Sequence, residues 1–214
     1  MHDVRRPPVI TGHELAGDIA GLGPGVERDA LGARVAVEPH VGCGRCAHCL
    51  RGEPHVCGAK RYLGVGDWTG AFAEYVVAAQ VMCHRIPDAI SYEEGAALEP
   101  FCVGLHAARR ARLAVGDRVA ILGGGTIGLM TLLAARLSGP EQLILSEPSA
   151  AKRGIAAACG PTSRWTPEGK TWCRPSGARP AAGAPTWSSW PRPSPPCSSR
   201  AWMPAGRSAR WSWW

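Results

Sequence analysis

The sequence predicts a mixed β and α/β chain: a mostly β region, then the opening half of a doubly wound parallel sheet, then an irregular or disordered tail. Three observations predict it. Cys43, Cys46, Cys49 and Cys57 fall in a Cx2Cx2Cx7C pattern, in a glycine-containing loop that follows a strand-like stretch. Residues 118–159 read as strand, glycine turn, helix, strand, acid, helix, the alternation that builds a parallel sheet. After Gly160 the composition breaks. The expected domains are therefore residues 1–102, 103–160 and 161–214.

The elements follow in chain order. Residues 1–8 are short, polar and proline-containing, and read as the interior of a longer chain rather than a domain start. Leu15 to Gly23 alternates loosely and is glycine-rich, as bent β-structure would be. Ala33 to Glu38 is a second strand, stopped by Pro39. Gly70 to Val77 alternates apolar and small residues and is expected to be a strand. Ser91 and Glu94 form a capping box that opens a helix. A separate helix is expected from Val103 to Leu113, with His106 packed on it. Arg118 to Leu122 and Gln142 to Ser146 are short apolar runs of the kind buried in parallel sheets. Leu129 to Leu137 and Ser149 to Cys159 are the helices that follow them.

Composition removes several function classes. No apolar run is long enough to span a bilayer, and no signal-peptide pattern opens the chain, so no membrane association is expected. Nine cysteines in that setting predict metal ligands and free thiols in a cytoplasmic protein. The net charge of +7 suggests a nucleic-acid partner, but its distribution argues against one. Residues 161–214 carry eight of the 24 basic and one of the 17 acidic groups, which leaves the first 160 residues balanced.

The cysteine pattern carries the strongest chemistry. Four thiolates at this spacing suit tetrahedral Zn²⁺ and leave no open position, so the lobe is structural. Gly12-His13-Glu14 supplies an imidazole and a carboxylate, and Glu99 adds a second carboxylate before Pro100. Three protein ligands with a fourth position open make a catalytic zinc site. A plain surface His-Glu pair and a helix-end acid are the bland alternatives. In the glycine turn, Gly123 allows the tight bend, Gly125 lets backbone approach a pyrophosphate, and Gly128 allows close helix packing. Gly123, Gly125, Thr126, Ile127 and Gly128 thus form a dinucleotide fingerprint opening a helix. Glu147 follows about 20 residues on, where an acid bonds ribose hydroxyls and favours NAD over NADP.

These pieces, in this order, resemble the zinc-dependent medium-chain alcohol and polyol dehydrogenases from about Pro8 to Gly160. Glu99-Pro100 looks most like the sorbitol, threonine and butanediol branch, and Leu145 to Ser149 leans toward its butanediol-type members. The resemblance implies a partial GroES-like β domain with its zinc lobe, followed by the first half of a Rossmann-type NAD(P)-binding domain. It implies His13 and Glu14 as catalytic-zinc ligands and Glu99 as a fourth or exchanging one. Zinc would act as a Lewis acid on the oxygen of a small alcohol or polyol, which passes a hydride to NAD.

The resemblance also marks departures. The family's first catalytic-zinc ligand is a cysteine upstream of Gly-His-Glu, and none of the eleven residues before Gly12 is Cys. The proton-relay serine or threonine close to it is absent too. The family is typically homo-oligomeric, but its pairing strand falls in the tail. Little or no turnover is expected of this chain, and a non-enzymatic zinc-binding fragment is the alternative.

The tail holds eight of the nine Trp and ten of the 19 Pro, but no Ile, Leu, Val, Phe or Tyr. Tryptophan has the single codon TGG. Read with GC-rich codons, a one-base shift of frame turns Arg210 to Trp214 and Ala184 to Trp190 into valine-rich strands. The expectation is a chain out of frame from about Gly160.

Overall fold

The computed structural model describes residues 8–161, 163–165 and 209–210. The rest of the tail lies outside the described residues, and with it the expected change of frame. The chain divides into two compact units, Met1–Cys102 and Val103–Trp214.

The first unit is built on a three-stranded antiparallel sheet of β1 (Ala16–Asp18), β2 (Arg34–Val37) and β5 (Cys83–Arg85), with β2 in the centre. Val35 pairs with Arg85 and with Gly17, which fixes the register on both sides. Val35, Val37, Leu63 and Met82 form the buried core, joined by half-buried Trp68 and Val76. Leu63 and Met82 are sealed from solvent, each contributing about 2 kcal/mol of apolar burial. A short hairpin of β3 (His40–Val41) and β4 (Arg61–Tyr62) brackets the cysteine lobe, which holds the one-turn helix α1 (Ala47–Leu50).

Two expectations fail in this unit. Gly70 to Val77 is no strand. Gly70, Ala71 and Phe72 donate to the carbonyls of Ile10, Gly12 and Thr11, and the pairing goes no further. Phe72, Tyr75 and Val77 are exposed at 80%, 76% and 81%. Alternation specifies a face, but a strand also needs a partner for its N–H and C=O groups. Nor are there two helices after Ser91. One helix, α2, runs from Tyr92 to Arg110 with Pro100 inside it, and the division between the units falls within it. Proline removes a hydrogen bond from a helix interior without abolishing the helix when packing holds it. Ser91 and Glu94 do form the capping box. The Ser91 N–H donates to Glu94 Oε2 at 2.8 Å, and the Glu94 N–H to Ser91 Oγ at 3.1 Å. The helix stops before Arg112, which has φ +53°. Its buried residues near that end are Ala107 and Ala108, whereas His106 is exposed.

The second unit carries a parallel sheet in the order β8–β7–β6–β9. β6 (Arg118–Leu122) and β7 (Gln142–Ser146) pair in parallel along their full length. Helices α3 (Thr126–Arg136) and α4 (Ala150–Ala158) follow them in turn. Val119, Ile121, Leu132, Ala135, Leu143, Leu145 and Ala156 make the core. α3 starts three residues earlier than expected, directly on the glycine turn. Ser149 caps α4, its Oγ accepting from the Lys152 N–H. The tail adds β8 (Ser163–Trp165) beside β7 and β9 (Ala209–Arg210) beside β6. Open edges of a sheet present unpaired backbone groups, so a segment can pair there without apolar patterning. No helix among the described residues is long and apolar enough to cross a membrane.

Candidate metal centres and cofactor turn

The cysteine lobe is folded by local backbone geometry. Cys46 caps α1, its Sγ accepting from the Cys49 N–H at 3.5 Å. The Cys43 N–H donates to Cys57 Sγ at 3.4 Å across the loop. The four Sγ atoms lie within 4.8 Å of one another. Gly42 leaves the room they need, since a Cβ there would sit 2.8 Å from Cys49 Sγ. The backbone N–H groups of Arg45 and Cys46 bring the Cys43 thiol down to about 6, while burial pushes Cys49 up to about 11. All four are free cysteines, so no disulfide forms among them. Four sulfurs converging on one point, with backbone donors aimed at them, fit a closed tetrahedral zinc site.

The second cluster is assembled from distant stretches. His13 and Glu14 come from the loop before β1, and Glu99 from the middle of α2. Their ligand atoms also lie within 4.8 Å of one another. Gly12 delivers the loop. It has φ +101°, and a Cβ would meet the Phe72 backbone nitrogen at 2.9 Å. Burial raises the Glu99 carboxyl above its ordinary range, opposed by His13, reinforced by Glu14 and opposed by a hydrogen bond from the Tyr62 side chain. Glu14 is exposed, while His13 and Glu99 are half-buried. One imidazole and two carboxylates, partly shielded from water, fit a zinc site with an open position.

Sequence reasoning missed Tyr62 and His40. The His13 ring meets Tyr62 edge-on, with centroids 5.5 Å apart. His40 stacks on Tyr62, 5.9 Å away and nearly parallel at 7°. His40 Nε2 is buried without a hydrogen bond, with Glu38 Oε1 3.4 Å away. No spacing rule links these residues; only the pairing of β3 with β4 brings them together.

The glycine turn sits at the end of β6. Gly123 has φ +102°, and its N–H donates to the Ser146 carbonyl at 2.8 Å. A Cβ on Gly128 would collide with the Gly123 carbonyl oxygen, so only glycine packs the helix this close. Gly125 and Thr126 are exposed, Ile127 and Gly128 are half-buried, and a Cβ on Gly125 would meet nothing within 4 Å. The turn therefore has open space beside the first N–H groups of α3, which have no partner within the helix.

Glu147 lies where the spacing puts it, one residue past β7, but its carboxylate turns inward. Oε2 accepts from the Gly124 N–H and Oε1 from the Ser149 N–H, both at 2.7 Å. The side chain is buried, and these donors hold its pKa below the usual carboxylate range. Arg153 Nη1 donates to the carbonyls of Glu147 and Pro148. A ribose that binds this acid must share or displace its backbone donors.

Residues 1–88 match the family described as the alcohol dehydrogenase GroES-like domain. The chain is 44% identical over 140 residues to sorbitol dehydrogenase of Bacillus subtilis, covering 65% of this chain and 40% of that protein. It is 39% identical over 155 residues to L-idonate 5-dehydrogenase of Vitis vinifera, covering 72% and 42%. Among solved structures, a protein of Sinorhizobium meliloti described as a zinc-binding dehydrogenase and bound to NADP superposes with a TM-score of 0.73. That match is 38% identical and covers 77% of this chain and 48% of the other. The chain thus spans about two fifths of the length of these curated relatives.

Proposed function

We propose, for a chain that belongs to the zinc-dependent medium-chain alcohol and polyol dehydrogenases, that it carries the zinc and nicotinamide sites for oxidising a small secondary alcohol or polyol. The observation that supports this best is the convergence of His13, Glu14 and Glu99 from separate stretches onto one point.

In this reading the side chains divide the work. His13, Glu14 and Glu99 would hold the catalytic zinc; Cys43, Cys46, Cys49 and Cys57 would hold a structural one. Bound zinc would supply Lewis acidity toward the alcohol oxygen, and bound nicotinamide a hydride acceptor. Partial burial of Glu99 and His13 shields that side of the cluster from bulk water and strengthens electrostatic contacts there, while Glu14 stays exposed. Gly125, Thr126, Ile127 and Gly128 would present backbone N–H groups to the cofactor's pyrophosphate. Glu147, once its carboxylate turns toward the ribose, would favour NAD over NADP. Turnover by this chain alone is proposed to be slow.

The completeness of the cysteine lobe favours a second reading, a non-enzymatic zinc-binding polypeptide. Metal analysis of the purified chain separates the two. Two zinc ions per chain, one of them lost in His13→Ala, with slow nicotinamide reduction on sorbitol or butanediol, is the result expected of the dehydrogenase reading. One zinc per chain and no nicotinamide binding would sink it and leave the second.

A further inference from the structure

Tyr62 lies outside both ligand sets, yet it touches the assembled cluster from two directions. Its side chain hydrogen-bonds Glu99, and its ring edge packs on His13. The ring itself is well anchored. Tyr62 is the register partner of His40 across the β3–β4 hairpin, and the His40 ring stacks on it. The next residue, Leu63, is fully buried, and its N–H donates to the Pro39 carbonyl at 2.8 Å. The hairpin also brackets the lobe, with β3 ahead of Cys43 and β4 after Cys57.

We infer that Tyr62 is a positioning residue for the second metal site: its hydroxyl donates to one Glu99 carboxylate oxygen and turns the other toward the ion that His13 shares. The inference rests on the reading of His13, Glu14 and Glu99 as metal ligands. The physical reason is general. A carboxylate with free rotation offers either oxygen at many angles, whereas one pinned by an outer donor presents a single lone-pair direction. The ring edge against His13 limits the imidazole in the same way. The lobe thereby gains a second consequence, because ordering Cys43 to Cys57 closes the hairpin that carries Tyr62.

The test uses the full chain, loaded with Co²⁺ or Zn²⁺ and titrated against a chromophoric chelator. Tyr62→Phe keeps the ring, its stack on His40 and its edge on His13, and removes only the hydroxyl. The expected result is a second-equivalent affinity about 10- to 100-fold weaker, the usual cost of losing an outer-shell partner. The first equivalent stays unchanged, which reports that the lobe and the hairpin are folded. The visible spectrum of Co²⁺ in the second site should shift as well, a signature that a change in stability alone does not move. Tyr62→Leu, which removes the ring too, should weaken the second site further. Equal second-site affinity and an unchanged spectrum in Tyr62→Phe overturn the inference. A wild-type chain that binds no second equivalent overturns the underlying reading, and the inference with it.

Discussion

The cysteine lobe and the His13–Glu14–Glu99 cluster are both convergent ligand sets, but they are made in opposite ways. In the lobe, every ligand comes from one short loop, and the loop's own backbone aims N–H groups at the sulfurs. In the cluster, the ligands come from a loop and the middle of a helix, with a hairpin tyrosine behind them. The lobe therefore depends on few other elements. The cluster depends on Gly12, the start of α2 and β3–β4 all being in place. A site's completeness in sequence measures how local it is, not how much chemistry it can do.

That contrast can be broken by removing one part at a time. The largest effect is expected from Cys57→Ala. Structural zinc in small domains contributes on the order of 10 kcal/mol of apparent binding free energy. Losing one of its four ligands should abolish that zinc equivalent and expose residues 43–57 to proteolysis. A variant that keeps both would mean that the lobe does not need Cys57 as a ligand.

Gly12→Ala comes next. Positive φ and a Cβ at 2.9 Å from backbone leave alanine no unstrained pose. A cost of about 3 kcal/mol is expected in urea unfolding, with the second metal equivalent lost and the first retained. Loss of both together would erase the distinction between the local and the assembled site.

Ser91→Ala should cost about 1 kcal/mol by removing the cap of the helix that carries Glu99. Second-site affinity should fall slightly and the lobe should not respond.

The smallest effect is a pH dependence in the second unit. Glu147 has a folded pKa below the ordinary carboxylate value, held there by the Ser149 and Gly124 N–H groups. Its contribution to stability is full above the unfolded pKa of about 4.3 and is lost as pH falls through the depressed folded value. The urea midpoint should drop across that acid window. In Glu147→Gln that part of the slope should vanish while the rest of the acid limb remains.

How much was legible follows from range. The capping box of Ser91 and Glu94 could be read directly, because both partners sit on one helical turn. The glycine turn could be read for the same reason, and Gly128 is required where the spacing placed it. Gly70 to Val77 was misread because its pattern describes a face and not the backbone partner a strand needs. The join of two expected helices into α2 was invisible because Pro100 reads locally as a stop. Glu147 was placed correctly along the chain, but the direction of its carboxylate depends on the Gly124 and Ser149 N–H groups around it. Tyr62 had no signal at all.

By itself, then, the sequence determined the elements whose partners lie within a few residues: the cysteine lobe, the cap of α2, the glycine turn and the two parallel strands. Short-range geometry leaves such groups few ways to meet. The tertiary structure alone decided which distant groups share a point. It brought Glu99 to His13, set Tyr62 against both, and turned Glu147 into its own turn. Those contacts are set by strand register, helix placement and burial, which no local spacing specifies.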